Sequence, residues 1–472
     1  MNLSVEKRHR LALALLLIFN LAIKLLVVCN TTQFQVSEAG STYNFLREIE
    51  NGKKPALYEG NYRTILAYIG HFFKSKTGTL HAFFWFQALL ATFSVYLLFL
   101  ICFRLTNEKH LALYGVILAT ILMDYHLLTP VFYPQLSDIF FVLLVTYLAL
   151  LLIDGQGIMS KAALLLVPVL MYVSVFFRST LQYFYMLLIL VALFLLIRRR
   201  TAASIRLGIA SALTLLLFTL FPHGNFANKT ALTLNDFRFF GHTLYGGDGG
   251  EGAFIYPRND ERYKQRLKEF MTVRQYKTLT VQIRNEFQER EIREFIVRTP
   301  LKWLYLQVRK IAMTFGIVPI RDSLEILSTG KLPMKWYLGG FFIQAPYAMI
   351  IVAFIALTVL FFRISDLANA RTFFVFLVLF YLIAATCLYG HYQERYRHVV
   401  ILGGLIPIMS VFFSRLIERQ NKTAIGLNRK VLLVLAFFVL IMHWGFQAYN
   451  AMSANKERYL KAITRFEYSQ KT

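Results

Sequence analysis

Residues 137–153 read Ser-Asp-Ile-Phe-Phe-Val-Leu-Leu-Val-Thr-Tyr-Leu-Ala-Leu-Leu-Leu-Ile, with Asp138 as the only charge. A helix that crosses a bilayer needs about 20 mainly apolar residues, and this run supplies one with a single acid at its start. Working outward, ten further runs of the same kind lie near 11–29, 82–103, 111–128, 162–177, 181–197, 204–221, 338–362, 372–389, 399–414 and 431–448. The expected fold class is an all-α polytopic membrane protein with about eleven transmembrane helices. The first run could pass for a signal peptide. Lys24 interrupts it, however, and no small-x-small cleavage site follows, so it reads as a retained helix.

Composition agrees with that reading. Of the 472 residues, 57% are apolar and only 16% charged, where soluble domains carry about 25% charged residues. Disordered, collagenous and disulfide-rich secreted chains are excluded, and a soluble domain this apolar would expose large hydrophobic patches. Three cysteines, Cys29, Cys102 and Cys387, are too few for a disulfide framework and lack zinc-site spacing. The formal net charge of +25 is scattered among apolar spans rather than gathered in a patch. Anionic phospholipid, with or without an anionic substrate, explains it better than nucleic acid.

Sidedness follows from the short loops. With the N-terminus in the cytoplasm, seventeen Lys and Arg collect at inside loop ends, against only Arg178, Arg395 and Arg397 in the short outer loops. That bias puts the N-terminus inside and the C-terminus outside. The chain then divides into an N-terminal transmembrane module, 1–222, with a first outer loop at 30–81. An outer loop at 223–337 and a C-terminal transmembrane module at 338–472 follow. Neither loop looks like an independent domain. Residues 41–49 place Tyr43, Phe45, Leu46 and Ile49 at near-helical spacing, suiting an amphipathic helix along the interface. The second loop opens with a Gly-rich run, 245–252, and continues as a charged helical stretch, 261–297, that Pro300 interrupts. An interfacial stretch at 303–315 follows it. No internal repeat or heptad run is present.

Familiar catalytic motifs are absent: there is no phosphate-binding loop, no His-Glu-x-x-His pair and no Gly-x-Ser-x-Gly elbow. The run Gly246 to Gly252 superficially suggests phosphate binding, but it lies outside, where nucleotides are scarce, and reads as a flexible turn. The informative residues are ionisable groups at the outer ends of the spans, where charge is costly and often functional. Glu38 precedes the amphipathic stretch; the bland alternative is a solvated loop charge. Asp138 opens the fourth span; it could equally favour the helix dipole, with Ser137 as a cap. Asp124, one turn inside the outer end of the third span, reads as a packing or capping residue. Arg178 sits in the hairpin between the fifth and sixth spans and could simply snorkel. The densest group is Tyr389-Gly-His-Tyr-Gln-Glu-Arg-Tyr-Arg-His398. Its Arg395 and Arg397 run against the positive-inside trend, and arginine presents a planar fork suited to phosphate oxygens.

This order of features resembles the GT-C glycosyltransferases that use polyprenyl-phosphate sugars, a group including protein mannosyltransferases and lipid A aminoarabinose transferases. The resemblance rests on the acid before an amphipathic helix, Glu38 to Tyr43, on Asp138, and on Glu394-Arg395-Tyr396-Arg397. The segment Glu294 to Pro300, with Trp303 and Tyr305, is similar to the family's juxtamembrane helix. One departure is that the family's first-loop acid is usually Asp, often beside a second acid, whereas Glu38 stands alone.

The resemblance implies an integral-membrane transferase that moves a sugar from a polyprenyl-phosphate donor to a lipid, glycan or protein acceptor by inverting displacement on the outer face. It implies Glu38 and Asp138 as the catalytic acids. Arg395, Arg397, Tyr396, Glu394, His391, Arg178 and Tyr43 would surround the donor phosphate and sugar. It leaves a divalent cation as the one cofactor to consider, with no metal ligand assigned. A monomer in a bacterial inner membrane is expected, surrounded by membrane lipids and without nucleic acid. An O-antigen ligase or polymerase would share the spans and the Arg/His cluster without needing Glu38. A secondary transporter should show half-chain symmetry and broken helices near the midplane.

Overall fold

Runs that are apolar on every side must be covered on every side, and runs apolar on one stripe come to rest at a rim. That distinction organises the computed structural model, which describes residues 5–31, 39–53, 62–155, 157–221, 261–276, 278, 281–316, 336–388, 396–419 and 427–454. All regular structure among these residues is helical. The N-terminal module comprises α1 (Val5–Asn30), α2 (Ala39–Glu50), α3 (Tyr62–Thr77), α4 (His81–Thr106), α5 (Lys109–Ile121), α6 (Met123–Leu127), α7 (Gln135–Asp154), α8 (Gly157–Phe177), α9 (Phe184–Ile197) and α10 (Thr201–Leu220). Next come α11 (Glu261–Val273), α12 (Val281–Arg298) and α13 (Pro300–Thr314). The C-terminal module comprises α14 (Trp336–Phe361), α15 (Ala370–Ile383), α16 (397–419) and α17 (Leu427–Ala454).

Among the described residues, seven helices are long and apolar enough to cross a membrane: α1, α4, α7, α8, α10, α14 and most of α16. The protein is therefore read as an integral, multi-pass membrane protein. Helix α5, α9 and the stretch 370–386 are apolar but shorter. Helix α7 is the hub. It is buried nearly throughout its length and packs against α4, α8, α10, α15 and α16. Lipid tails are as apolar as leucine, so close packing rather than water exclusion must hold such helices together. Gly404 illustrates the closeness. A Cβ built there would lie 2.9 Å from the Leu379 backbone, so α15 and α16 touch main chain to main chain.

The third apolar run, expected as one helix over 111–128, is instead broken at Leu122, whose ψ of 88° is not helical. Helix α5 has 13 residues, about 20 Å at 1.5 Å per residue, short of a 30 Å hydrocarbon core. The break turns Asp124, Tyr125 and His126 into the protein, and all three are buried. The charged stretch expected over 261–297 is two helices, α11 and α12, folded on each other around Phe270 and Phe287. Arg266 ties them together through Glu291 and Glu294, the latter at 3.0 Å. Pro300 does end that stretch, and takes the first position of α13, where its missing N–H costs nothing.

The two ends of the bundle differ in chemistry. At one end lie the loop ends that carry the excess of Lys and Arg: Lys109 meets Glu6 at 3.1 Å, and Asp154 faces Arg104 and Arg371. The other end carries α2, which packs on α3 and reaches the bundle where the Thr42 hydroxyl donates to the Phe132 carbonyl at 3.5 Å. It also carries the ends of α7, α15 and α16 where the sequence singles out Asp138 and Arg397.

Candidate functional site

At this second end two buried carboxylate–arginine pairs stand side by side. The first is built by α7 and the turn after α8. Asp138, in the first turn of α7, is 2% exposed and its Oδ2 lies 3.5 Å from Arg178 Nη1. The Thr180 hydroxyl donates to the same oxygen at 2.8 Å, and the Tyr381 hydroxyl from α15 donates to the Thr180 carbonyl. Ser137 makes no capping bond: α7 begins at Gln135, with Pro134 at the cap position. The alternative capping role of Ser137 is thus corrected, because the helix starts three residues earlier than that cap requires. What holds Asp138 is Arg178 and Thr180.

The second pair joins α6 to α16. Arg397 is 1% exposed, and its Nη2 donates to Asp124 Oδ2. Its guanidinium lies 4.1 Å from the centre of the Tyr347 ring on α14 and donates to the Gly316 carbonyl at 3.4 Å. His398 Nε2 approaches the same carboxylate at 3.9 Å. Arg397, expected at the head-group surface, is instead enclosed by four elements. Asp124, read from sequence as a packing or capping residue, is its ionic partner. Burial explains both: a guanidinium inside apolar surroundings requires a counter-charge, and the break at Leu122 delivers one.

Tyr396 links the pairs. It precedes Arg397 in sequence, and Arg178 stacks on its ring 3.8 Å from the centre. A planar cation on an aromatic face, shielded from water, gains up to about 2 kcal/mol. Of the two arginines, Arg178 is the more accessible, with 16% of its side chain exposed. Tyr43 lies further along the same end on α2, partly buried with Arg47 5.1 Å over its ring, apart from both pairs among the described residues. Glu38, His391, Glu394 and Arg395 lie outside the described residues, as does the Gly-rich run 246–252.

Behind Asp124 is a polar cluster that the sequence reading does not single out. Lys24, in the C-terminal third of α1, is fully buried; its ammonium donates to Asn20 Oδ1 and lies 4.8 Å over the Tyr125 ring. Asn20 donates to the Thr120 hydroxyl at 3.1 Å. His126 Nε2 lies 2.7 Å from the Thr120 carbonyl; a carbonyl only accepts, so Nε2 carries the proton. The signal for this cluster was in the sequence. A lysine inside an apolar run is expensive and seldom idle.

Among the described residues no three His, Cys, Asp or Glu side chains come together to hold a metal ion. Among the described residues each buried acid at this end, Asp138 and Asp124, already faces an arginine. What the arrangement offers is fixed positive charge with carboxylates beside it, at the end of a helical bundle. Comparison with known proteins returns no matching family model and no curated relative.

Proposed function

We propose that the protein is a GT-C-type glycosyltransferase that takes its sugar from a polyprenyl-phosphate donor at the end of the bundle carrying Asp138 and Arg178. The reading takes the ten apolar helices, seven long and three shorter, and α17 as eleven spans, α2 and α13 as interfacial helices, and this end as the outer face of a cell membrane. Helix α13 suits an interface: Leu301, Leu304, Tyr305 and Val308 are exposed along it. The single observation that carries the proposal is the linked arrangement Asp138–Arg178–Tyr396–Arg397–Asp124. It brings together residues from three separate sequence segments that the resemblance implicates.

The chemistry runs as follows. The acceptor hydroxyl oxygen attacks the anomeric carbon while the bond from that carbon to the phosphate oxygen breaks. The acceptor proton passes to a carboxylate, for which Glu38 is the choice, since it directly precedes α2. The lipid phosphate leaves with a second negative charge, which Arg178 stabilises. A phosphate is a stable anion without protonation, so one base and one cation suffice, whereas glycosidases need two carboxylates. Asp138 orients Arg178 and the acceptor. Arg397, enclosed with Asp124, holds Tyr396 in place under Arg178.

The test is sugar transfer from a polyprenyl-phosphate sugar by the purified protein, with a lipid, glycan or protein acceptor. Glu38→Gln keeps shape but accepts no proton, and turnover should fall about 100-fold or more. Arg178→Ala should lower turnover by a similar factor, while Arg178→Lys recovers part of it. Turnover within a few-fold of wild type in both Glu38→Gln and Arg178→Ala would refute these roles. No transfer from any polyprenyl-phosphate sugar by the wild-type protein would refute the activity.

A further inference from the structure

The opposite end of the bundle holds a second concentration of charge that the proposed transfer does not use. Asp154, at the last turn of α7, is 8% exposed and lies between two arginines: Arg104 of α4 and Arg371 of α15, whose Nε is 2.6 Å from Oδ1. Arg371 also donates to the Arg104 carbonyl at 2.8 Å, so the three residues are fixed to one another. Arg206 of α10 donates to the Leu152 carbonyl at 2.9 Å and lies flat on Gly155. A Cβ there would stand 2.0 Å from its Nη2. A cavity of about 300 Å³ opens beside them, lined by Ile153, Asp154, Arg200, Asn369 and Arg371.

Four arginines against one aspartate leave this site with three uncompensated positive charges. Arg200 is the informative member. It is exposed, and it makes no side-chain hydrogen bond or ion pair among the described residues. It occupies the position before α10, whose first turn has no side-chain cap. Unpaired N–H groups of that turn and the helix dipole both favour an anion at the same place. Asn369 already spends its side-chain oxygen on the Arg371 and Thr372 N–H groups, so its amide nitrogen is the part left for a ligand. The volume is at the low end for small-molecule sites, and fits a head group rather than a whole lipid. The flanking apolar residues are exposed: Ile197 by 80% and Ile364 by 81%. They are suited to acyl chains.

We propose that this cavity binds the phosphate of an anionic phospholipid head group, with Arg200 and Arg371 as its principal contacts. Basic pockets between spanning helices at a membrane surface have this chemistry. The inference needs only that the helices span a bilayer. It is independent of the transferase reading and of which face this end occupies, because either face presents lipid phosphate.

The probe is thermal unfolding of the purified full chain in a neutral detergent, titrated with phosphatidylglycerol, phosphatidylcholine or inorganic phosphate. Phosphatidylglycerol should raise the midpoint in a saturable way, phosphatidylcholine should not, and phosphate should do so weakly. Arg200→Gln, at a partnerless exposed position, should fold normally and need about fivefold more phosphatidylglycerol for the same shift. Lys161→Gln, at the same end but outside the cavity, should bind like wild type. Equal shifts in wild type and Arg200→Gln, or no lipid shift in wild type, would overturn the site. A shift with inorganic phosphate as large as with lipid would overturn the lipid assignment in favour of a soluble phosphate ester.

Discussion

The buried pair Asp124–Arg397 puts a definite question to a single residue: does it act, or only hold? Both side chains are almost without exposure, so removing one strands the other as an uncompensated charge. Arg397→Ala or Asp124→Ala should each cost about 3–5 kcal/mol in stability. Replacing the pair with apolar residues of similar volume, Asp124→Leu with Arg397→Met, removes both charges together. Such replacements are often neutral or stabilising, so the double variant should recover most of the lost stability. Turnover should not recover, because Tyr396 and the Arg178 stacked on it lose their support. Unfolding midpoints and sugar-transfer rates for the three variants check this. A double variant that is both stable and fully active would make the pair a purely structural device. How legible these residues were differs by type. Arg397 and Asp138 stood out because charge next to apolar runs is rare. The partnership of Arg397 with Asp124 spans 273 positions, and no local pattern could supply it.

Among the elements, the helices lie where the apolar runs do, since length and hydropathy are local properties that a bilayer reads directly. The deviations are tertiary in origin. Leu122 breaks the third run because Asp124 and His126 gain partners by turning inward, at a cost in helix geometry that sequence periodicity does not encode. A π-helical turn follows α15 directly, at Ala384–Leu388, and another lies within α16, at Ile401–Leu405, a departure often found at functional sites. The second turn includes Gly403 and Gly404, which let α16 approach α15 and so set the depth of Arg397. Gly404→Ala would place a methyl group against the Leu379 main chain, which cannot swing away as a side-chain end could. A loss of about 1–3 kcal/mol is expected, with transfer falling as α16 is pushed outward. Gly208 of α10 is the control. Its Cβ would meet nothing within 4 Å, so Gly208→Ala should leave stability unchanged or raise it by up to about 1 kcal/mol. Equal thermal midpoints for the two alanine variants would remove the close approach as a constraint.

For the whole molecule, the two charged ends carry opposite demands. One holds Asp154 and the excess of Lys and Arg in its short loop ends; the other holds the proposed transfer site. On the proposed reading the positive-inside tendency sets the first in the cytoplasm, which would place Arg178 and Tyr396 outside. Only that placement gives the proposed site access to acceptors on the outer face. The lipid-phosphate cavity is indifferent to it. Orientation therefore separates the two proposals, and it can be measured without any substrate. A reporter that is active only outside the cytoplasm, fused after Thr472, should be active on the proposed eleven-span reading, because eleven spans return the C-terminus to the side opposite the N-terminus. The same reporter fused after Arg419, between α16 and α17, should be silent, since that loop follows the basic end of α16. Activity at the second position with silence at the first would invert the molecule. Arg178, Asp138 and the enclosed Arg397 would then face the cytoplasm, and outer-face sugar transfer would fall, while the anion site beside Asp154 would remain to be judged on its own lipid titration.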